Sequence, residues 1–219
     1  MTSAWAEFRQ ETFGDPYTVL HDGPDFLSLP SRLQEQREYV TRMLELGLSE
    51  GDPVAAQAVS YLARDGVDVS ALSGRLREAL PQARGTFRVR VAQALFVLTH
   101  DQDLAEPICE VLTGGDHWSE KMDAAIALNA FAPAIKVVQA LVHGVQDDQY
   151  LVRRNSAQTL LTLAGRHTTI EKVPDLWAMI RPGNSGRAWH LWGMMIRRGR
   201  DDRRAWQRAG TELGRPWMK

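Results

Sequence analysis

The sequence predicts an all-α protein. The expected architecture is a right-handed solenoid of about five helix pairs, with an N-terminal arm before it and a C-terminal capping helix after it. Three observations predict it. The first is self-similarity. Phe87-Arg88-x-x-Val91-Ala92-x-x-Leu95-x-x-Leu98 superposes on Glu120-Lys121-x-x-Ala124-Ala125-x-x-Leu128-x-x-Phe131. Both superpose on Val152-Arg153-x-x-Ser156-Ala157-x-x-Leu160-x-x-Leu163, at offsets of 33 and 32 residues. A fainter copy starts at Val54 and runs through Ala58, Val59 and Leu62, another 33 residues back. A period of this length marks a stack of two-helix units, each burying its apolar face against its neighbours. The second observation is that apolar residues recur at helical spacing, with no alternating strand-like run. The third is punctuation between the periodic stretches: Gly51-Asp52-Pro53, Gly114-Gly115-Asp116, Asp147-Asp148 and Pro182-Gly183-Asn184.

The elements follow in order. Residues 1–30 read as a short helix and then an irregular arm, because Trp5, Phe8, Phe13, Tyr17, Phe26 and Leu27 are interrupted by Gly14-Asp15-Pro16 and Asp22-Gly23-Pro24. Ser31 and Gln34 have the spacing of a capping box and predict a helix start there. Leu33, Val40, Met43, Leu44 and Gly47 share one face of the helix that follows. Asp52 and Pro53 supply the cap and first position of its partner. Further pairs are expected over residues 70–82 and 86–99, 103–113 and 117–131, 133–145 and 149–164, and 172–181 and 185–199. The repeat array thus spans 31–200, and a capping helix and tail occupy 201–219.

Composition bounds the function. Apolar residues make up 44% and charged residues 24%, an ordinary globular mixture. One cysteine, Cys109, excludes an internal disulfide framework and suits a reducing compartment. Charges in the first residues argue against a secretory signal, and Asn129, Pro133, Lys136 and Gln139 break the most apolar stretch, so a cytoplasmic protein without a membrane span is expected. The net charge of −1 hides an asymmetry: residues 1–60 carry −6 and residues 181–219 carry +7. Such ends are either interaction surfaces or the solvated caps an array needs.

The second helix of each pair carries an apolar residue, a basic residue, then Ala and two Leu at helical spacing. This pattern resembles a HEAT repeat of the short bacterial kind, well over residues 31–165 and more faintly over 166–200. The resemblance implies second helices that line a concave surface. It also implies roles in scaffolding and assembly, in lyase-related subunits, in bacterial immunity proteins, or in one class of DNA glycosylases.

The register separates core from free residues. Positions of Val152, Ala157, Leu160 and Leu163 are core. Asn155 lies on the opposite face, with Asp123, Arg90 and Gln57 at equivalent positions; Gln158, Ile126, Gln93 and Ser60 form the next rung. These rungs read as a polar strip, either merely solvated or a recognition surface. The basic ladder Arg88, Lys121, Arg153 is expected to tie acidic turns containing Asp52, Asp116 and Asp148. Five of seven tryptophans lie in the last 43 residues, where Trp189 and Trp192 stand near Arg187. They are either core fillers or binding anchors.

Catalytic and metal-ligand spacings are absent, and no cofactor is expected. Cys109 reads as inert core. The preferred expectation is a non-enzymatic module that binds another protein through Arg90, Asp123, Asn155, Arg187, Trp189 and Trp192, such as an immunity or antitoxin-like protein. The alternative, implied by the resemblance, is an alkylpurine DNA glycosylase using Asp123, with Trp118, Arg153, Arg154 and Trp189 around it. Against it, Trp118 and Asp123 stand about 500° apart around a helix, and the near-neutral charge does not suit a duplex. Nucleic acid is therefore not the expected partner.

Overall fold

The computed structural model describes residues 3–181. The expected helices over 185–199 and 201–213 lie outside the described residues. Among the described residues there are twelve α-helices and no strand. They fall into two compact units, Met1–Pro107 and Ile108–Lys219.

The first unit opens with α1 (Ala4–Phe13), capped by Ser3, whose hydroxyl accepts from the Ala6 amide at 3.1 Å. Here the sequence expectation needs correcting, because the arm is not irregular. Asp15 caps α2 (Pro16–Asp22), accepting from the amides of Tyr17 and Thr18. Asp15-Pro16 is the same start signal as Asp52-Pro53. The capping box at Ser31 is also absent. Helix α3 (Leu29–Glu35) begins earlier, with Pro30 in its first turn, and the Ser31 hydroxyl bonds back to the Ser28 carbonyl at 2.9 Å. The chain then bends at Gln36 into α4 (Arg37–Ser49), and α5 (Pro53–Arg64) follows. A 3-10 turn leads into α6 (Ser73–Ala79), and α7 (Gly85–Thr99) packs along α5.

An aromatic chain seals this unit. Phe8 meets Phe13 edge-on at 5.9 Å, Phe13 meets Phe26 at 5.3 Å, and Phe26 stacks on Tyr61 of α5 at 5.2 Å. Trp5 is 2% exposed and lies against Gly47 of α4. A Cβ at position 47 would stand 2.6 Å from the indole, so the arm docks only because that residue is glycine. The indole Nε1 donates to Asp52 Oδ2 at 2.9 Å, and Arg9 pairs with the same oxygen at 3.1 Å. The other oxygen, Oδ1, accepts the Val54 amide at 2.8 Å and caps α5.

In the second unit, α8 (Ala105–Gly114, which enters it from the first) is followed by α9 (Trp118–Ala127), α10 (Ile135–Gly144), α11 (Tyr150–Leu163) and α12 (Pro174–Ile180). α9 ends earlier than expected. Its last turn tightens into a 3-10 turn over Leu128–Ala130, and Phe131 is extended. α9 and α11 lie against each other, and the Thr159 hydroxyl donates to the Ala125 carbonyl at 2.8 Å. α10 rests on α11 where Gly144 faces Ser156; a Cβ on Gly144 would overlap the Ser156 hydroxyl.

In both units the second helices use the expected core positions. Ala92 and Ala125 are 0% exposed and Ala157 is 4% exposed, with Leu95, Leu128 and Leu160 also buried. No helix among the described residues is long and apolar enough to cross a membrane.

Candidate functional site

The buried register places Arg90, Asp123 and Asn155 away from the core, and each is half-buried rather than freely solvated. In the first unit, Arg90 on α7 donates through Nη1 to Gln93 Oε1 at 2.9 Å, joining two rungs of the expected strip. In the second unit, Asn155 on α11 donates through Nδ2 to the Leu151 carbonyl at 2.8 Å, so its side chain lies along its own helix. Asp123 stands on α9 at the equivalent position. Arg187, Trp189 and Trp192 lie outside the described residues.

One expected rung is spent on structure. Gln158 donates to the Thr168 carbonyl at 3.0 Å and accepts the Ile170 amide at 2.8 Å, clamping the loop between α11 and α12. Two members of the basic ladder, Lys121 and Arg153, are structural too. Lys121 pairs with Asp147 at 3.1 Å, in the turn between α10 and α11. Arg153, 5% exposed, donates to the carbonyls of Asp147 and Asp148 at 2.9 and 2.8 Å and to that of Ile180 at 3.4 Å. A buried guanidinium satisfied this way is a brace, and removing it would orphan carbonyls. Its neighbour Arg154 pairs with Glu171.

The sequence reading missed an apolar component on the same two helices. Trp118 and Ile126 on α9 are 38% and 47% exposed, and Leu151 on α11 is 38% exposed. Ile126 was legible in the register, since its equivalents are Ser60, Gln93 and Gln158. An isoleucine on an otherwise polar rung is the exception that marks a contact. Trp118 lies against the His117 ring, with centroids 5.6 Å apart.

The first unit also has an open cleft of about 520 Å³ between α4 and α6, with Leu48, Ala79 and Phe87 in its lining. Four of its rim charges have partners. Arg75 pairs with Glu78 at 3.0 Å, Arg84 donates to the Pro81 and Ala83 carbonyls, and Glu50 accepts the Ser3 hydroxyl at 3.1 Å.

Three carboxylates are displaced below their ordinary pKa, and each has a local cause at a surface turn. The Thr18 hydroxyl and amide lower Asp15, and the Ser70 hydroxyl and amide lower Asp68. The Glu171 backbone amide and Arg154 lower Glu171. These are the signatures of caps and turns, where charge is stabilised by fixed N–H and O–H groups. Among the described residues, no group of His, Cys, Asp and Glu is arranged to hold a metal ion. Cys109 is buried in α8, with its sulfur 3.9 Å from the Lys136 carbonyl oxygen. No family model, curated protein or solved structure matches this chain.

Proposed function

We propose that this chain is a HEAT-like helical repeat protein, a right-handed solenoid, that acts as a non-enzymatic protein-binding module. The role fits a cytoplasmic immunity or antitoxin-like protein that occludes another protein. The observation that carries the reading is the mixed face on α9 and α11. Ile126 and Leu151 are exposed there, each one helical turn from the polar Asp123 and Asn155, while the opposite faces of both helices supply core. Apolar anchors within a polar surround are the anatomy of a protein interface. Truncating such an anchor costs about 2 kcal/mol or more, whereas a peripheral charge acts mainly on the association rate.

The glycosylase alternative draws less support. It needs Arg153 and Arg154 free to meet DNA, and the first is buried against turn carbonyls while the second holds Glu171. Its prediction remains sharp: release of an alkylated base by the purified protein, abolished by Asp123→Asn, would replace the binding reading. The positive test uses photo-crosslinking residues placed at 126 and 151, with position 65 in the first unit as control. A protein cross-linked at 126 and 151 but not at 65, and lost in an Ile126→Asp, Leu151→Asp double variant, is the expected result. Equal cross-linking at all three positions would sink the proposal.

A further inference from the structure

The cleft of the first unit has two unlike walls. One is the C-terminal end of α4. Glu45 and Glu50 stand on it, the first half-buried and the second exposed, with the buried Leu48 between them along the chain. Gly51, at φ 75°, closes the helix: its amide reaches the Leu48 carbonyl at 3.2 Å, and the Asp52 amide reaches the Gly47 carbonyl at 3.0 Å. This wall therefore carries the negative end of the α4 dipole as well as two carboxylates. Glu45 has no hydrogen-bond or ionic partner among the described residues, and Glu50 accepts from a neutral hydroxyl, that of Ser3.

The other wall comes from α6 and the start of α7. Ala79 and Phe87 give it apolar surface, and its charges are spent locally. Arg75 and Glu78 neutralise each other at 3.0 Å, and Arg84 folds back on the carbonyls of Pro81 and Ala83. Phe87 is half-buried, and two of its ring carbons lie 3.9 Å from where a Cβ on Gly51 would stand. The missing side chain at 51 leaves that side of the ring uncovered. The volume, about 520 Å³, is in the range of ligand sites.

We propose that this cleft takes an arginine side chain presented by another protein. Charge complementarity and the character of the two walls select the occupant. The α4 wall, with two carboxylates and a helix C-terminus, attracts a cation. The apolar wall, with one side of an aromatic ring uncovered, is covered by a hydrocarbon stem. Arginine supplies both: methylenes that lie along apolar surface, and a planar guanidinium with five donors that serves two carboxylates at once and lies well against an aromatic ring. Lysine, a strongly hydrated point charge, is the poorer fit. An arginine desolvated in a pocket is also the usual composition of an interface anchor. The site belongs to the first unit and does not rest on the face on α9 and α11.

The experiment is NMR of the full chain, methyl-labelled at leucine and alanine and titrated with acetyl-Leu-Arg-Leu-amide. The Leu48 and Ala79 methyls are expected to move saturably at peptide concentrations up to about 10 mM, the affinity of a single anchor. Leu27, exposed on the arm, is expected to stay put. The same peptide with neutral citrulline in place of arginine is expected to bind about tenfold or more weakly, as is the arginine peptide to a Glu45→Gln, Glu50→Gln double variant. Ala79→Phe places a ring in the cleft, keeps both carboxylates and is expected to abolish the shift at Leu48; it decides the matter if the double variant does not fold. Static Leu48 and Ala79 methyls, equal binding of the citrulline peptide, undiminished binding to the double variant, or a Leu48 shift that persists in Ala79→Phe overturns the proposal. Hexamethylenediamine is the last arm: a cleft that takes this diamine and refuses the peptide serves a free polyamine, which overturns the proposal as well.

Discussion

In the first unit, the turn between α4 and α5 is held from outside the repeat. Trp5 and Arg9 of α1 both reach Asp52, which in turn caps α5. In the second unit, the turn between α10 and α11 is held by Arg153 of the same pair and by Lys121 of the preceding one. The difference follows from one position. Ala55 occupies the register place of Arg153, 98 residues earlier. The first pair therefore lacks its own brace, and α1 brings in a cation and an indole instead. α1 thus does more than cover apolar surface: it brings donors to the acidic turn.

The largest effect that can test this contrast is at Trp5. Trp5→Ala removes a buried indole and the bond to Asp52, and should cost about 3–5 kcal/mol in chemical denaturation. A loss below about 1 kcal/mol would show that the arm covers the first pair without holding it. The counterpart is Arg153→Met, which keeps the length of the side chain and deletes its donors. Two turn carbonyls lose their partners, and a loss of about 2–3 kcal/mol is expected. Should Arg153→Met prove neutral, the brace in the second unit is dispensable and the contrast fails.

Gly144→Ala tests how closely the helices of the second unit approach. The added methyl overlaps the Ser156 hydroxyl and stands 3.0 Å from Leu112 Cδ1, so a cost of about 1–3 kcal/mol is expected. Ser156 is fully buried, and its hydroxyl has no partner among the described residues. Adding Ser156→Ala should thus recover most of the loss; two independent, additive costs would show that the overlap is relieved elsewhere. The smallest effect is electrostatic and belongs to the arm. The Thr18 hydroxyl and amide hold the Asp15 carboxyl below its ordinary range. A lowered folded-state pKa stabilises the fold above the unfolded-state value and is lost as pH falls. Asp15→Asn keeps a cap acceptor but does not titrate. The native sequence should be the more stable near pH 7, with the gap closing toward pH 3; a gap that is constant with pH would remove Asp15 from the acid limb.

Repeat register made most of the helices legible, because core positions recur and each unit is built from local contacts. Val54, Ala92, Ala125 and Ala157 are buried where periodicity puts them. Helix starts were legible where an Asp-Pro pair marks them, and were lost at 15–16 because the flanking Gly14 reads as a break. The Ser31 capping box failed because Pro30 lets the helix begin earlier, and a spacing rule does not weigh that competition. At the candidate site, the register told which face was free but not which polar side chains are spent. Gln158 reads as a ligand contact from its rung and serves as a loop clamp, since its partners are the backbone of residues 168 and 170. Side chain to backbone bonds across a loop leave no periodic trace.

Asp52 has a consequence for dynamics. One carboxylate receives an indole, a guanidinium and a helix-start amide. Short helices at a surface ordinarily open locally, and their amide hydrogens exchange through those small openings. Here α1 cannot detach without taking two of those groups from Asp52. Opening the carboxylate likewise uncaps α5. The arm and the first repeat are thereby joined into one opening unit, and the slowest amides of α1 share their exchange free energy with those of α5, some fifty residues away in sequence.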